Sequence, residues 1–336
     1  MNAFSFLCNL FVLGIASSRL GTARVEGEWL SWDLHLSHGL HIPRVGLGTA
    51  ALGDRTADVV SSALSVGVRL IDSAQAQEWY SELGVGEGIS NYCQQSQERR
   101  NELWDLVVVT KVHPRSYQEE RMRSMLSRSL NLLYSKWNPS KESLDVVLLH
   151  SPFCWTGHCS SEEESYTWQG AWRILEKVKE EGAVRAIGVS NFDLDQLKEL
   201  EKLSNTKIAI VQNWMDPFHQ DVLVREFCKA HNIVYMAYSS FGTQWEVKFS
   251  DENPVLTDKT LCEIAKNRQT TVTAVITSWL LQEDVLAIPR ASRLDHLREN
   301  SFLEKRSSNG SLPIFLTSLE MNLIRGLDGS LGLPWS

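Results

Sequence analysis

Residues 186–212, AIGVSNFDLDQLKELEKLSNTKIAIVQ, contain two short apolar runs on either side of a longer amphipathic segment. The runs, residues 186–190 and 208–212, have the length and the branched side chains of strands. Between them, residues 193–203 carry apolar side chains at helical spacing, as an amphipathic helix does. Parallel strands covered by helices show this order. The stretch therefore predicts one strand–helix–strand unit of an α/β fold.

The same alternation recurs along the rest of the chain. Six further apolar runs predict strands, at residues 45–49, 69–72, 106–111, 145–150, 234–238 and 285–288. Amphipathic segments between them predict helices, and glycines such as Gly67 and Gly182 end two of these. Eight strand and helix alternations favour a (β/α)8 TIM barrel over an open doubly wound sheet.

Two further segments bear on this architecture. Residues 29–47 alternate apolar and polar side chains around residues 37–39, so we expect an N-terminal β-hairpin that plugs one end of the barrel. Gly84, Gly86 and Gly88 stand at alternate positions within a helical stretch. A dinucleotide fingerprint would have to follow the first strand, so these glycines predict close helix packing instead.

The composition is that of an acidic globular protein. The 336 residues are 43% hydrophobic and 22% charged, with a formal net charge of -8. Lys and Arg are scattered along the chain, so no basic surface for nucleic acid is expected. We expect a single barrel domain over residues 24–336 that acts on a small molecule, and we favour a monomer.

The first 23 residues differ from the rest and predict a targeting leader. Residues 3–16, AFSFLCNLFVLGIA, form an apolar run that is too short for a stable membrane span, and small residues follow it. This pattern predicts a secretory signal that is cleaved after Ala23. Because no Lys or Arg precedes the run and Asn9 interrupts it, an organelle-targeting leader or an uncleaved end stays open. The location is then the secretory pathway, an organelle or, without a functional leader, the cytoplasm.

The cysteine pattern leaves the redox compartment open. Apart from Cys8 in the leader, the cysteines are Cys93, Cys154, Cys159, Cys228 and Cys262. Cys154 and Cys159 could form a disulfide or bind a metal together with His158, but their spacing matches no strong zinc motif. We therefore predict ordinary loop cysteines near the barrel mouth and no metal site. A glycosylation sequon at residues 309–311 matters only in the secretory pathway.

Polar residues stand at the ends of most of the predicted strands. In a (β/α)8 barrel the active site gathers at these carboxyl ends. The residues are Asp72, Lys111, His150, Ser190, Asn191, Gln212, Tyr238 and Arg290. Together they indicate a site rather than a set of unrelated turn residues.

The chemistry of these residues favours proton transfer next to a nicotinamide ring. A buried Lys beside an Asp stays charged and lowers the pKa of a nearby phenol, which can then donate a proton near neutral pH. His150 could polarise a substrate oxygen. The groups that could bind a carboxamide are those of Ser190, Asn191 and Gln212, and Tyr238 offers a flat face for stacking.

Taken in order, the motifs at these strand ends resemble the aldo-keto reductase superfamily over about residues 36–327. The matching segments are RLIDSA (69–74), VTK (109–111), LLHSP (148–152), GVSNF (188–192), VQN (211–213), AYSSFG (237–242), IPR (288–290) and REN (298–300). The resemblance implies a (β/α)8 fold, a dinucleotide bound without a Rossmann domain, and hydride transfer to a small aldehyde or ketone.

The resemblance also implies roles position by position. Asp72, Lys111 and His150 would belong to a catalytic tetrad. The cofactor residues would be Ser190, Asn191 and Gln212 at the carboxamide, Tyr238 on the nicotinamide, Ser239 and Phe241 along the pyrophosphate, and Arg290, Glu299 and Asn300 at the adenosine end. Because a guanidinium pairs well with a 2′-phosphate, Arg290 favours NADPH, with NADH possible and Arg293 as a further candidate cation.

The fourth tetrad residue departs from the family pattern. The family places its tyrosine five residues after the aspartate, where this chain has Gln77. Tyr80 follows three residues later, which implies that residues 77–79 lengthen the loop. We predict that Tyr80 still lies above Lys111 and donates the proton. The alternative is a displaced Tyr80 in a weak or inactive cofactor-binding redox sensor or regulatory subunit.

The positions of the tryptophans indicate which class of aldehyde the site would bind. Those that fall in predicted loops past strand ends are Trp79, Trp155, Trp214 and Trp245. Trp168 and Trp172 stand at helical spacing and predict packing. The loop group favours an apolar or aromatic aldehyde.

Overall fold

The structure is a computed structural model that describes residues 33–36, 40–247, 249, 252–301 and 314–333. The predicted leader, the sequon and residues 37–39 of the predicted hairpin lie outside the described residues. Among the described residues, no helix is both long enough and apolar enough to cross a membrane.

A pair of short antiparallel strands precedes a sheet of eight parallel strands. The pair is β1 (Asp33–His35) and β2 (His41–Pro43). The sheet contains β3 (Leu47–Gly48), β4 (Leu70–Asp72), β5 (Val107–Val112), β6 (Leu144–Leu149), β7 (Val184–Ser190), β8 (Ile210–Trp214), β9 (Val234–Tyr238) and β10 (Leu286–Ala287). Each of them overlaps a predicted strand, and β8 continues two residues beyond Gln212.

The sheet closes on itself. Its strands are hydrogen-bonded in chain order from β3 to β10. Val45 forms a parallel bridge to Ala287, and the N–H of Gly46 donates to the carbonyl oxygen of Ala287 at 2.9 Å. These contacts join the first and last strands, so the architecture is the predicted (β/α)8 barrel.

Helices alternate with the strands along the chain. They are α1 (Thr56–Ser65), α2 (Glu82–Gln94), α3 (Gln97–Asn101), α4 (Glu119–Tyr134), α5 (Ser161–Glu164), α6 (Trp168–Glu180), α7 (Leu194–Leu203), α8 (Val222–Ala230), α9 (Pro254–Thr257), α10 (Lys259–Asn267), α11 (Val272–Gln282), α12 (Leu294–Ser301) and α13 (Ser318–Arg325). Short 3-10 helices cover Gly53–Arg55, Pro114–Ser116 and Thr243–Val247. A capping box between Asp193 and Gln196 starts α7 shortly after the end of β7. Trp168 and Trp172 are buried on α6, as their spacing predicts.

Apolar side chains fill the inside of the barrel and the space between the sheet and its helices. The inner cluster contains strand residues such as Leu70, Val109 and Met236. Leu36 and Ile42 of the hairpin are buried in the same cluster, which agrees with the predicted plug. A larger cluster lies between the outer faces of the strands and the helices.

The glycines of α2 allow close helix packing. A Cβ on Gly86 would lie 2.0 Å from the carbonyl oxygen of Leu132 in α4. One on Gly88 would lie 2.5 Å from the carbonyl oxygen of Ala57 in α1. Both backbones approach too closely for any side chain, so the packing interpretation of these glycines is correct.

Candidate active site

A buried ion pair lies at the carboxyl ends of β4 and β5. Lys111 Nζ donates to Asp72 Oδ2 at 2.7 Å and to the carbonyl oxygen of Ser73 at 2.9 Å. The two charged side chains are only 1% and 3% exposed. Burial lowers the pKa of Lys111, and the Asp72 carboxylate opposes this effect by favouring the ammonium. The two charges therefore compensate each other inside the barrel.

Gln212 provides the second donor to Asp72. Its Nε2 donates to Asp72 Oδ1 at 2.7 Å and contacts Met236 Sδ at 2.9 Å. Each carboxylate oxygen of Asp72 thus accepts a hydrogen bond, one from β5 and one from β8. The structure places Gln212 at the site but uses its amide to hold Asp72, so its contact with a carboxamide stays a prediction.

The lengthened loop returns Tyr80 to this ion pair. The N–H groups of Trp79 and Tyr80 donate to the carbonyl oxygen of Ala76 at 3.0 and 2.9 Å. The N–H of Ala51 donates to the carbonyl oxygen of Trp79 at 2.7 Å and ties this turn to the segment after β3. Lys111 Nζ lies 4.8 Å from the centroid of the Tyr80 ring. A single hydrogen-bonded turn therefore absorbs the extra residues and leaves Tyr80 over Lys111.

The Tyr80 phenol keeps its proton. Burial, and then the negative charge of Asp72, raise the pKa of Tyr80 above its usual value. The expectation of a lowered Tyr80 pKa is therefore wrong, because burial and Asp72 outweigh the nearby Lys111 ammonium. The protonated phenol is the form that can donate to a substrate oxygen.

His150 is a neutral neighbour of this phenol. Burial, and then the Lys111 ammonium, hold the pKa of His150 well below its usual value. Its ring centroid lies 5.9 Å from that of Tyr80. Its buried Nδ1 has no hydrogen-bond partner among the described residues. A neutral imidazole in this place can hydrogen-bond the same substrate oxygen as the phenol.

Hydrogen bonds link His150 to Tyr238 through Asn191. Asn191 Nδ2 donates to the carbonyl oxygen of His150 at 2.8 Å, and the Tyr238 hydroxyl donates to Asn191 Oδ1 at 2.6 Å. Asn191 has a φ of 62°, a left-handed conformation that asparagine tolerates better than most residues. Next to it, Ser190 Oγ donates to the carbonyl oxygen of Gln212 at 2.7 Å. The carboxyl ends of β6 to β9 are therefore tied together.

A cavity of about 300 Å³ opens beside Tyr80. Its lining brings together residues predicted for catalysis and for the cofactor, namely Asp72, Tyr80, Tyr238, Ser239, Phe241 and Arg290. Ser240 also lines it, and its buried Oγ has no hydrogen-bond partner within the described part of the chain. An aromatic face, an unused hydroxyl and an exposed guanidinium suit the nicotinamide and phosphates of a dinucleotide.

The residues predicted for the adenosine end are only partly assembled. Arg290 is exposed at the cavity. Glu299 and Asn300 lie on α12, outside the lining of this cavity, and Glu299 accepts a hydrogen bond from Thr271. Arg293 pairs with a neighbouring aspartate at 2.8 Å. Arg290 is therefore the cation that the structure offers at the cavity itself.

Cys154 and Cys159 are joined by a disulfide in the loop between β6 and α5. The loop position agrees with the prediction, but the prediction of ordinary cysteines is wrong, because they are bridged. The histidine that groups with the two sulfurs is His113, and the three ligand atoms lie within 4.8 Å of one another. Since His113 Nδ1 accepts the N–H of Arg115 at 3.1 Å and the sulfurs bind each other, the bridged group offers a metal no ready set of ligands.

Three polar residues beside the site were not predicted as site residues: Glu78, His113 and Arg115. Arg115 donates to Glu78 Oε1 and, at 3.1 Å, to His113 Nδ1. Burial, and then the Arg115 guanidinium, lower the pKa of His113 to about 4, so its ring is neutral near pH 7. His113 stands two residues after Lys111, and this strand spacing is the signal that could have found it.

Two of the tryptophans expected near substrate are packed in the interior. Trp214 ends β8 and is 5% exposed, and Trp245 is fully buried. Their indole nitrogens both donate to Asp216 Oδ2, at 2.9 and 2.8 Å. Their interpretation as substrate contacts is wrong, because a shared buried carboxylate holds them. Trp79 and Trp155 remain at the barrel mouth.

The sequence matches the family model described as Aldo/keto reductase family over residues 44–307. The chain belongs to the aldo/keto reductase family. A 9,11-endoperoxide prostaglandin H2 reductase of Trypanosoma cruzi is 33% identical over 267 residues, which cover 79% of this chain and 83% of the relative. An NADPH-dependent D-xylose reductase of Meyerozyma guilliermondii is 28% identical over 289 residues, covering 80% and 88%. The crystal structure of an aldo/keto reductase from Brucella melitensis matches with a TM-score of 0.69 and 26% identity, over 88% of this chain and 99% of that chain.

Membership of the aldo/keto reductase family confirms the resemblance, the (β/α)8 barrel and the prediction of an oxidoreductase. The relatives are named as reductases, which favours an active enzyme over the alternative of a cofactor-binding sensor or regulatory subunit.

Proposed function

We propose that this aldo/keto reductase reduces aldehydes or ketones to alcohols, with NADPH as the hydride source and Tyr80 as the proton donor. The observation that carries the proposal is the position of Tyr80. Its ring lies 4.8 Å from Lys111 Nζ and 5.9 Å from the His150 ring, although three extra residues precede it. The acid, the charge that stabilises its phenolate and a neutral hydrogen-bonding ring therefore meet at one point.

The proposed chemistry follows from these contacts. The substrate oxygen binds against Tyr80 and His150, and the neutral imidazole orients it by a hydrogen bond. Tyr80 donates its phenolic proton to that oxygen as the carbonyl carbon is reduced. The Lys111 ammonium, which Asp72 holds at 2.7 Å, stabilises the phenolate that remains.

The lining of the cavity beside Tyr80 suits the nicotinamide and phosphates of the proposed cofactor, and bound NADPH would supply the hydride there. Tyr238 would face the nicotinamide ring. The other residues that would hold the cofactor are Ser190, Asn191 and Gln212 at the carboxamide, Ser239 and Phe241 along the pyrophosphate, and Arg290, Glu299 and Asn300 at the adenosine end. Ser240 Oγ, buried at the cavity with no hydrogen-bond partner among the described residues, adds a donor for a phosphate.

Substitution of Tyr80 tests the proposed reaction. Tyr80→Phe keeps the ring but removes the acid, so kcat for aldehyde reduction should fall by about 10²- to 10⁴-fold. NADPH oxidation measures the rate with a panel of aldehydes, and fluorescence measures the Kd for NADPH, which should not change. Tyr166→Phe, at a tyrosine that is 37% exposed and outside the cavity lining, is the matched control. Turnover by Tyr80→Phe at the wild-type rate would contradict the assignment.

Substitution of Arg290 tests the preference for NADPH. A guanidinium that binds the 2′-phosphate contributes to the binding free energy of NADPH but not to that of NADH. Arg290→Ala should therefore raise the Kd for NADPH by about tenfold or more and leave the Kd for NADH nearly unchanged. The D-xylose reductase relative is NADPH-dependent by name, which supports this preference. Arg293→Ala is the control, because Arg293 already pairs with Asp295. Tighter binding of NADH than of NADPH by the unaltered protein would refute the preference.

A further inference from the structure

A six-residue loop that a disulfide closes lies next to His150. This disulfide loop, residues 154–159, follows β6, and its two end residues are bonded to each other. Within it, the N–H of His158 donates to the carbonyl oxygen of Trp155 at 2.9 Å. Gly157 has a φ of 79°, a conformation that favours glycine. The loop is therefore a compact turn, and the disulfide holds its ends together.

Trp155 contacts rings from three other segments of the chain. The centroid distances are 4.9 Å to His150, 5.2 Å to His113 and 5.3 Å to Trp79. Trp79 lies 5.1 Å from His158, which belongs to the same disulfide loop as Trp155. We call Trp79, His113, Trp155 and His158 the aromatic wall. It stands directly beside a residue of the proposed catalytic site.

The loop-lengthening residues 77–79 are held to the disulfide loop by polar contacts as well as by rings. Glu78 accepts a hydrogen bond from Arg115, and His158 Nδ1 lies 3.3 Å from Glu78 Oε1. Trp79 keeps its edge contact with Trp155 only while both loops stay in place. The two loops therefore support each other across the mouth of the barrel.

The chemistry of the wall suits an aromatic ligand. Trp79 is 37% exposed and Trp155 is half-buried, so ring surface is open at the mouth. Aromatic rings attract each other best in offset or edge-to-face arrangements, which require a fixed placement of the rings. An aromatic aldehyde whose carbonyl meets Tyr80 and His150 can rest its ring on this wall. A small polar aldehyde has no ring to contact the wall, so the wall adds nothing to its binding free energy.

We propose that the aromatic wall selects aromatic aldehydes over small polar aldehydes, and that the Cys154–Cys159 disulfide keeps Trp155 in the wall. This inference rests on the proposed carbonyl reduction. A dithiol opens the bond: it gives two hydrogen atoms to the two sulfurs, becomes a cyclic disulfide, and leaves Cys154 and Cys159 as thiols. The loop is then joined only through its backbone, and Trp155 loses its fixed contact with His150.

The test compares 2-naphthaldehyde with glycolaldehyde as substrates of the full chain. The protein is assayed oxidised, after reduction by dithiothreitol and desalting under nitrogen, and as Cys154→Ser/Cys159→Ser, with free thiols counted by mass spectrometry. Trp155→Ala removes the ring and leaves the disulfide. The matched controls are Cys262→Ser, at an exposed free thiol, and Trp104→Ala, at a tryptophan that is 87% exposed.

We expect the ratio of kcat/KM for naphthaldehyde to that for glycolaldehyde to fall about fivefold to tenfold, through a higher KM for naphthaldehyde. The fall should occur in the reduced protein, in the double serine variant and in Trp155→Ala, while both controls keep the wild-type ratio. An unchanged ratio in protein whose loop thiols are free would overturn the proposal. So would an equal loss for both aldehydes, because the disulfide would then only support the fold.

A binding measurement separates this inference from the proposed function. Calorimetry gives the Kd of 2-naphthalenemethanol, the product alcohol, in the presence of NADP⁺ and needs no turnover. A Kd that rises about fivefold to tenfold on reduction supports the wall even where no aldehyde is reduced, and then only the proposed function fails. A Kd that does not change on reduction overturns the inference even where both aldehydes are turned over.

Discussion

Replacement of Lys111 by methionine tests whether a buried ion pair holds this site together. Methionine keeps an unbranched apolar side chain, so the main change is the loss of the ammonium. Asp72 Oδ2 then loses its donor at 2.7 Å, while Gln212 keeps its bond to Oδ1. A carboxylate whose side chain is 3% exposed is left without a compensating charge.

The loss in the free energy of unfolding of Lys111→Met can be estimated from the groups around the ion pair. Removal of one member of a buried ion pair costs about 3–5 kcal/mol, because the other charge stays buried. The remaining bond from Gln212 favours the lower end, about 3 kcal/mol. Lys141→Met is the matched control: Lys141 Nζ lies 2.6 Å from Asp145 Oδ1, but it is 19% exposed and Arg185 bonds the same oxygen. Its loss should cost about 1 kcal/mol or less.

Urea unfolding, monitored by circular dichroism, measures the free energy of unfolding of each variant, and NADPH oxidation measures its turnover. We expect Lys111→Met to lose turnover and Lys141→Met to keep it. The double variant Lys111→Met/Asp72→Asn removes the stranded charge, so it should recover about half of the lost stability or more. Unfolding of Lys111→Met and Lys141→Met at the same urea concentration would refute the reasoning, as would a double variant that recovers nothing.

Two further predictions follow from the packing and the electrostatics. Gly86→Ala should destabilise the fold by about 1–3 kcal/mol or more in the same unfolding assay, because its Cβ would lie 2.0 Å from the carbonyl oxygen of Leu132. Gly170→Ala, whose Cβ would meet its nearest atom at 3.5 Å, should be neutral or stabilising, and equal effects would contradict the packing. The low pKa of His150 predicts a kcat that is constant between about pH 6 and 8, because the ring is already neutral throughout that range. A step near the usual histidine pKa of about 6.5 in the pH profile would show that His150 titrates there.

Much of the site could be predicted because the polar residues at the strand ends come at the end of short apolar runs in the sequence. Asp72, Lys111 and His150 each follow a short apolar run, and parallel strands bring their carboxyl ends to the same face. Strand period and composition are local properties, so they can be read from a few neighbouring residues. The glycines of α2 could be interpreted as packing residues for the same reason, since their position in the chain excluded a dinucleotide loop.

Other features depend on distances through space. The bridge between Cys154 and Cys159 was not predicted from their spacing, because a disulfide needs a particular separation of two backbones. Trp214 and Trp245 follow the predicted strand ends as Trp79 and Trp155 do, yet the first two are buried and hydrogen-bonded to Asp216. The pKa of Tyr80 depended on whether burial and Asp72 outweigh Lys111, which no sequence pattern reports.

The barrel, the family and the polar strand ends could all be predicted from the amino-acid sequence, because they follow from local periodicity and from the order of short motifs along the chain. The position of Tyr80 could not be predicted in this way, because it depends on contacts through space. Residues 77–79 could have carried it away from Lys111, and the outcome depended on whether the N–H groups of Trp79 and Tyr80 found the carbonyl oxygen of Ala76. The N–H of Ala51 bonds that turn from the segment after β3, so the geometry of the turn depends on the pairing of β3 with β4 rather than on neighbouring residues alone.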